Sequence, residues 1–376
     1  MNYSIIKISL LFLLLLINTP LYADIKIGGI FAKTGPASFL GLPEDKTAVM
    51  LIDNINSKGG VNGEKLIYIS KDSIGNPDKA LALAKELIEK EKVIAIIGPA
   101  TTGESLKIKD YCNEKQVILI SCAAAEEIVN PLLKYVFKTP QKDSDAGRRI
   151  FETMKKNNLK KIGLMTSNSS FGSSGKAQLE KLAPDYGIEI AVSEVYDKSS
   201  NDLSPVLKSM KDVQAVINWS IEPAQGIIAK NMKQAGLQIP LYQSHGYGNI
   251  KYVKMSNEAS ENVVFPCGRL LVAEKLSDKH QQKKVLTDYK NLYEKRFKED
   301  ASSFGGYVYD ALMLFVKAAE KAGSNDKEKI RNSMESLKKF VGVSGVFNFS
   351  DKDHNGLSKD SFEMIIIKKG EFEIYK

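Results

Sequence analysis

Two α/β domains, each a parallel sheet with helices on both faces, are what this 376-residue chain predicts, on three observations. Short β-rich apolar runs alternate with helical patterns from Asp24 onward. The alternation restarts after Thr139-Pro140, and the chain is long enough to build two separate cores. In order, strands are expected near 25–31, 65–71, 93–97 and 117–121, with helices near 43–58, 77–91 and 103–114. The second series runs helix 143–157, strand 161–166, helix 173–186, strands 188–194 and 213–218, helix 223–236 and strand 240–243. The last section breaks the rhythm with helices near 277–298, 303–323 and 326–338, then Phe340-Val-Gly-Val-Ser-Gly-Val-Phe-Asn-Phe349 and two terminal strands. A run of helices forms no sheet of its own, so it is expected to pack back on the first domain, with the terminal strands joining the second.

Ahead of these elements, Lys7 precedes an apolar run from Ile8 to Ile17, followed by Asn18-Thr-Pro20 and Leu21-Tyr-Ala23. The run is too short to span a bilayer comfortably and reads as a signal peptide, residues 1–23, cut after Ala23. No cysteine follows the cut, which argues against a lipid anchor, and a soluble periplasmic product is expected. The formal charge of +8 falls by one with Lys7; it suits an anionic small ligand or an acidic partner, and scattered surface lysines explain it equally well. Nucleic-acid binding would need basic and aromatic residues gathered on one face, whereas here the lysines are spread along the chain. Cys112, Cys122 and Cys267 are an odd number for an oxidising compartment, so at least one stays unpaired in the monomer, and three buried thiols are expected.

Two strand-to-helix turns carry the most specific chemistry: Val93-Ile-Ala-Ile-Ile-Gly-Pro-Ala-Thr-Thr-Gly103 and Val117-Ile-Leu-Ile-Ser-Cys-Ala-Ala-Ala-Glu126. Each runs from a buried strand into small residues that open a helix. Small side chains let a ligand approach the backbone, while free N–H groups and the positive end of the helix dipole favour an anion such as a carboxylate. No constellation of comparable specificity points to catalysis. Asp351-Lys-Asp-His-Asn-Gly356 imitates a calcium loop, but Phe362 stands where that loop needs a bidentate glutamate, so a turn at Asn355-Gly356 is expected. His245, His280 and His354 lack metal-ligand spacing, and Gly28-Gly29 is no dinucleotide fingerprint. Neither metal nor cofactor is expected.

In order along the chain, Ile25-Lys-Ile-Gly-Gly29, Lys33-Thr-Gly-Pro36, Asp53-Asn-Ile-Asn-Ser-Lys-Gly-Gly-Val-Asn-Gly63, Gly98-Pro-Ala-Thr-Thr102, Tyr186-Gly-Ile188, Gln234-Ala-Gly-Leu237 and Gly345-Val-Phe-Asn-Phe349 resemble the leucine/isoleucine/valine-binding family of type I periplasmic binding proteins of ABC importers. The resemblance implies two doubly wound parallel-sheet lobes joined by three crossover strands, with the ligand buried between them. Crossovers are expected near 138–141, 265–268 and 341–344, where Pro140, Pro266 and Gly342 punctuate the chain. Lobe 1 then comprises 24–139 plus 267–342, and lobe 2 comprises 140–266 plus 343–376.

Carried over by position, the family's carboxylate seat falls on the Thr102 hydroxyl and on backbone groups of Ala123 and Ala125. Ala125 stands where amino-acid binders typically have a threonine. The Thr102 hydroxyl is equally placed to cap the helix expected from Gly103. Where those binders carry a glutamate for the ligand ammonium, this chain reads Gln243-Ser-His245-Gly-Tyr-Gly248, and a histidine cannot serve as a fixed anion. Glu222 could substitute from another loop, or be a first-turn helix acid beside Pro223. Phe171, Trp219 and Tyr247 at cleft-facing turns suggest a flat or apolar ligand body. The expectation is therefore a monomeric solute-binding protein that carries an aromatic or apolar carboxylate to ABC permease subunits. Its rival, sharing the same cleft, is a soluble sensor feeding a membrane kinase or chemoreceptor.

Overall fold

The computed structural model describes residues 24–221 and 223–376; the expected leader and Glu222 lie outside the described residues. The first sheet is wholly parallel, in the order β2 (Leu66–Asp72), β1 (Ile25–Phe31), β3 (Ala95–Ile97), β4 (Ile118–Ser121), β5 (Val136–Lys138). β3 and β4 are buried at every position, as continuous apolar runs covered on both faces must be. The second sheet runs β7 (Glu189–Tyr196), β6 (Lys161–Ser167), β8 (Ala215–Trp219), β9 (Leu241–Gln243), β10 (Val264–Cys267), β13 (Glu363–Lys368), β14 (Glu371–Ile374). It is parallel from β7 to β10 and antiparallel beyond. β7, at the edge, alternates exposed and half-buried residues because only one of its faces is covered.

The late helices Lys283–Phe297, Ser303–Ala322 and Lys327–Glu335 pack with helix Ser38–Ser57 into the core of the first sheet, where Leu286, Tyr289, Phe315 and Met334 are buried with Leu40 and Leu51. The terminal strands lie in the second sheet, so both sequence expectations hold. The helix expected over 223–236 is instead a 3₁₀ turn, Pro223–Gly226, followed by a short helix, Ile228–Gln234. The three-residue β5 and helix Ile250–Ser256 had no sequence expectation. All three cysteines are buried free thiols, as expected.

The third crossing departs from expectation. Residues 341–344 form the turn between β11 (Phe340–Val341) and β12 (Val346–Phe347), an antiparallel pair. Asp310 grips that turn, its carboxylate accepting the Val343 and Ser344 N–H groups at 2.6 and 2.7 Å. A Cβ on Gly342 would lie 2.3 Å from Asp310 Oδ1, so the grip requires a glycine. The Gln141 amide donates to Ser344 O at 2.7 Å, tying the turn to the first crossover. Beyond it, Phe347 and Phe349 stack and stay in the first core against Phe137, as does Leu357; the chain enters the second core only at Phe362. The crossing is therefore corrected to 357–362, and residues 343–357 pack with lobe 1 rather than lobe 2. Burial of the two phenylalanines decides it. Asp351–Gly356 is a turn in which Asp353 Oδ1 accepts the Asn355 and Gly356 N–H groups, and the buried His354 stacks on Phe137 at 4.0 Å.

Lobe 1 also buries carboxyls without counter-charges. Both Glu44 oxygens lack a hydrogen-bond partner among the described residues, and burial, then Glu104 and Asp45, raises its pKa well above normal. Burial likewise lifts Asp310 to about 7, outweighing its backbone donors. Above their ordinary pKa such groups keep a proton in the folded state that the unfolded chain has released, so stability must fall as pH rises. For Asp310 the window runs from 3.8 to about 7. Stability measured by urea unfolding is expected to drop between roughly pH 4 and 7, by up to about 1.4 kcal/mol per pH unit per proton. Glu44→Gln should flatten that slope; a pH-independent midpoint in the parent protein would contradict the assignment.

Candidate ligand-binding cleft

The carboxyl ends of β3 and β4 open toward lobe 2. After β3, Thr101 adopts extended backbone and caps helix Thr102–Glu114, its hydroxyl accepting Glu104 N–H and donating to Glu104 Oε2 at 2.6 Å. The cap is thus Thr101, not Thr102. Thr102, the first helical residue, is buried in the cleft wall with its hydroxyl released from capping. After β4, Cys122, Ala123 and Ala124 line the wall. The Ala123 N–H already donates to Ser121 Oγ at 3.1 Å, so its expected role as a ligand donor needs that bond to yield. Ala125 packs inside lobe 1 with Ile108 and Leu119, away from the wall; the alanine at the surface is its neighbour.

Behind this turn sits a residue that no sequence pattern suggested. Lys138, the last residue of β5, is fully buried, and its ammonium donates to the carbonyls of Ala124 and Gln141. A buried cation and a helix N-terminus therefore flank the same small-residue turn, which suits an anion.

The facing wall comes from lobe 2. Phe171 opens helix Ser170–Leu182, which Ser169 caps at Gly172 N–H. His245 begins a 3₁₀ turn after β9. The Phe171 and Trp219 rings lie 5.4 and 5.5 Å from the imidazole at about right angles, and Phe362 lies 5.6 Å away on another side. Phe171 and His245 reach the cleft, while Trp219 backs them with its indole against Gly175, where a Cβ would sit 2.0 Å from Nε1. Tyr247 turns away into the lobe 2 core, stacked on Tyr252 at 5.6 Å and edge-on to Phe265 at 5.2 Å, a correction to its expected place in the cleft. Glu222 belongs to the undescribed position between Ile221, which lines the cleft, and Pro223.

Asp143, also unanticipated, opens helix Asp143–Lys156 just beyond the first crossover. Its Oδ1 lies 3.5 Å from His245 Nε2. The Ser174 hydroxyl is 2.7 Å from its Oδ2 and 2.9 Å from Glu127 Oε2, and with one proton it donates to one of them at a time. Burial pushes the Asp143 carboxyl up to about 7 against the pull of Lys138. Burial likewise brings Lys138 down to about 8 against the pull of Asp143. Burial, reinforced by Lys138, holds His245 down at about 3, so the imidazole is neutral at pH 7. The only sequence signal for these two residues was a pair of opposite charges bracketing Pro140.

Two contacts close the cleft at its rims. On one side Glu127 of lobe 1 meets Ser174 of lobe 2. On the other, Phe39 stands edge-on to Tyr252 of lobe 2 at 5.5 Å and to Phe304 of lobe 1 at 6.1 Å, and it packs on both cores. The cavity between the walls measures ≈ 30 Å³, room for a water or two, so a larger ligand enters by separation of the lobes.

A family model described as periplasmic binding protein matches residues 24–366. The chain is 27% identical over 335 residues to the leucine-, isoleucine-, valine-, threonine-, and alanine-binding protein of Pseudomonas aeruginosa, covering 87% of this chain and 86% of that protein. Among solved structures, an extracellular ligand-binding receptor from Rhodopseudomonas palustris HaA2 superposes with a TM-score of 0.88 at 26% identity, covering 94% of this chain and all of that one. The fold is shared as well by a solute-binding protein of an ABC transporter from Rhodopseudomonas palustris BisB5, in complex with 3,4-dihydroxy benzoic acid, with a TM-score of 0.80 at 21% identity over 93% of this chain and 95% of that one.

Proposed function

Because this chain belongs to the periplasmic binding protein family, we propose that it captures a small carboxylate between its lobes and delivers it, unreacted, to the permease subunits of an ABC importer. Residues 1–23 would direct export to the periplasm, where the protein acts as a monomer. The carboxylate docks first on lobe 1, at the start of helix Thr102–Glu114 and on the turn through Ala123 and Ala124, with Lys138 supplying the charge behind it. Closure then adds Phe171 and His245, contacts that exist only in the closed state and so favour it.

One observation carries the choice of ligand: the lobe 2 wall is made of rings around an imidazole kept neutral by burial, where an ammonium would need an anion. An aromatic or other apolar acid fits that wall better than a branched-chain amino acid does, although the Pseudomonas relative is named for aliphatic amino acids. The solved neighbour in complex with 3,4-dihydroxybenzoic acid supports an aromatic acid as a ligand that this fold can hold. Asp143 and Glu222 are the two carboxylates from which an ammonium could still be received.

A thermal-shift panel tests the reading. At 100 to 1,000 times Kd a ligand stabilises by about 3–4 kcal/mol, so benzoate or a branched-chain acid lacking an amino group should raise Tm while leucine, isoleucine and valine do not. A strong shift with leucine would overturn the ligand class. Thr102→Val is expected to weaken carboxylate binding by about 1.5–3 kcal/mol, roughly ten- to a hundred-fold, with the helix intact because Thr101 caps it. Calorimetric affinity unchanged by that substitution would remove Thr102 from the site.

A further inference from the structure

Three buried polar atoms at or beside the lobe 2 wall of the cleft have no hydrogen-bond partner among the described residues: both ring nitrogens of His245, which lines the cleft, and Asp143 Oδ1, 3.5 Å from His245 Nε2. His245 is 3% exposed and Asp143 wholly buried, so water does not satisfy them from outside. Buried polar atoms ordinarily find partners, and a group entering from the cleft can supply one to His245 Nε2 and Asp143 Oδ1.

Resting on the aromatic-acid reading above, we propose that this end of the cleft is a hydroxyl subsite, and that the ligand is a hydroxy-substituted aromatic carboxylate. The 3.5 Å between His245 Nε2 and Asp143 Oδ1 is too long for a good direct bond, yet one oxygen can lie about 2.8 Å from both. A neutral imidazole can present an N–H there, and above about pH 7, where Asp143 is ionised, its carboxylate can only accept. A hydroxyl is the neutral group that answers both, accepting from His245 while donating to Asp143. An ether or a halide has no proton for Asp143. An ammonium has no lone pair for the imidazole N–H, and would add a second buried cation near Lys138, whose charge already depresses His245. Ser174, holding Asp143 Oδ2 at 2.7 Å, fixes which oxygen is offered to the ligand. Trp219 Nε1 also lacks a partner among the described residues, but it faces Gly175 and takes no part.

The experiment is calorimetric titration of the full mature chain with benzoate, 3-hydroxybenzoate, 4-hydroxybenzoate and phenylalanine, in the parent protein and in His245→Phe and Asp143→Asn. The better hydroxybenzoate is expected to bind about ten- to a hundred-fold tighter than benzoate, as a hydrogen bond to a charged group would give. In His245→Phe, whose added ring suits the aromatic wall, the hydroxybenzoate-to-benzoate ratio should collapse toward one. Asp143→Asn, which keeps an acceptor oxygen but loses its charge, should narrow the ratio, with circular dichroism confirming the fold of each variant. Equal binding of benzoate and both hydroxybenzoates by the parent would overturn the hydroxyl subsite and leave the aromatic-acid reading standing. Phenylalanine binding tighter than any hydroxybenzoate would overturn it in favour of an ammonium subsite. Failure of every aromatic carboxylate to bind would overturn the underlying reading itself.

Discussion

Lys138→Met is expected to reduce carboxylate binding by at least about a hundred-fold and to destabilise the fold by about 3–5 kcal/mol, the scale of leaving a buried carboxyl without the cation that opposes it. The ammonium is fully buried, holds the Ala124 and Gln141 carbonyls, and opposes Asp143. Without it the turn proposed to receive the ligand anion loses a buried cation, two carbonyls lose a donor, and Asp143 is left with its burial uncompensated. Asp143 would then stay protonated at neutral pH, which is readable as a pH shift in the stability profile of the variant. Urea unfolding and calorimetry of the variant measure both losses. Unchanged affinity in a folded Lys138→Met protein would show that the anion is held by backbone groups alone.

Trp219→Ala should cost about 3–5 kcal/mol of stability, as deletions of fully buried aromatic side chains do. Trp219 is wholly buried at the end of β8, and its indole is the backing against which Phe171 and His245 rest, with ring centroids 5.8 and 5.5 Å away. The void left behind lets both cleft-facing rings relax, so affinity for an aromatic acid should fall by more than about ten-fold. It is the chain's single tryptophan, so in the parent protein its fluorescence is expected to respond to ligand through the Phe171 and His245 rings it backs. A variant with parental affinity would assign the indole to lobe 2 packing alone.

The alternation of strands and helices was legible because it is a local property of the chain, and so were the two turns where apolar strands run into small residues. What escaped depends on tertiary packing or on a register of one residue. Thr101 and Thr102 have the same chemistry, and only the helix start tells which hydroxyl caps and which faces the cleft. His245 and Tyr247 share a 3₁₀ turn, in which side chains two apart diverge by about 120°, so one lines the cleft and the other the core. Lys138 ends a strand of three residues, too short for periodicity to show, and its burial comes from elements distant in sequence. The misplaced third crossing has the same origin: Gly342 looks like a joint, and only the packing of Phe349 on Phe137, with Phe347 stacked on Phe349, shows that the chain stays where it is.

The aromatic bridge from Phe304 through Phe39 to Tyr252 joins the lobes, and while Phe304 lines the cavity, Phe39 itself is absent from its wall. Its free energy favours the closed arrangement whatever the cleft contains. Apparent affinity equals intrinsic affinity scaled by the fraction of molecules in the binding-competent arrangement, so each 1.4 kcal/mol of bias in that equilibrium is about a tenfold change while the competent form is the minor one. The bridge must break before anything enters or leaves, so its effect falls on encounter rate as well as on residence time. Evolution can therefore retune how tightly this protein holds its cargo at Phe39 without touching which cargo it prefers: every ligand is rescaled by the same factor, and the ranking among them stays with the cleft.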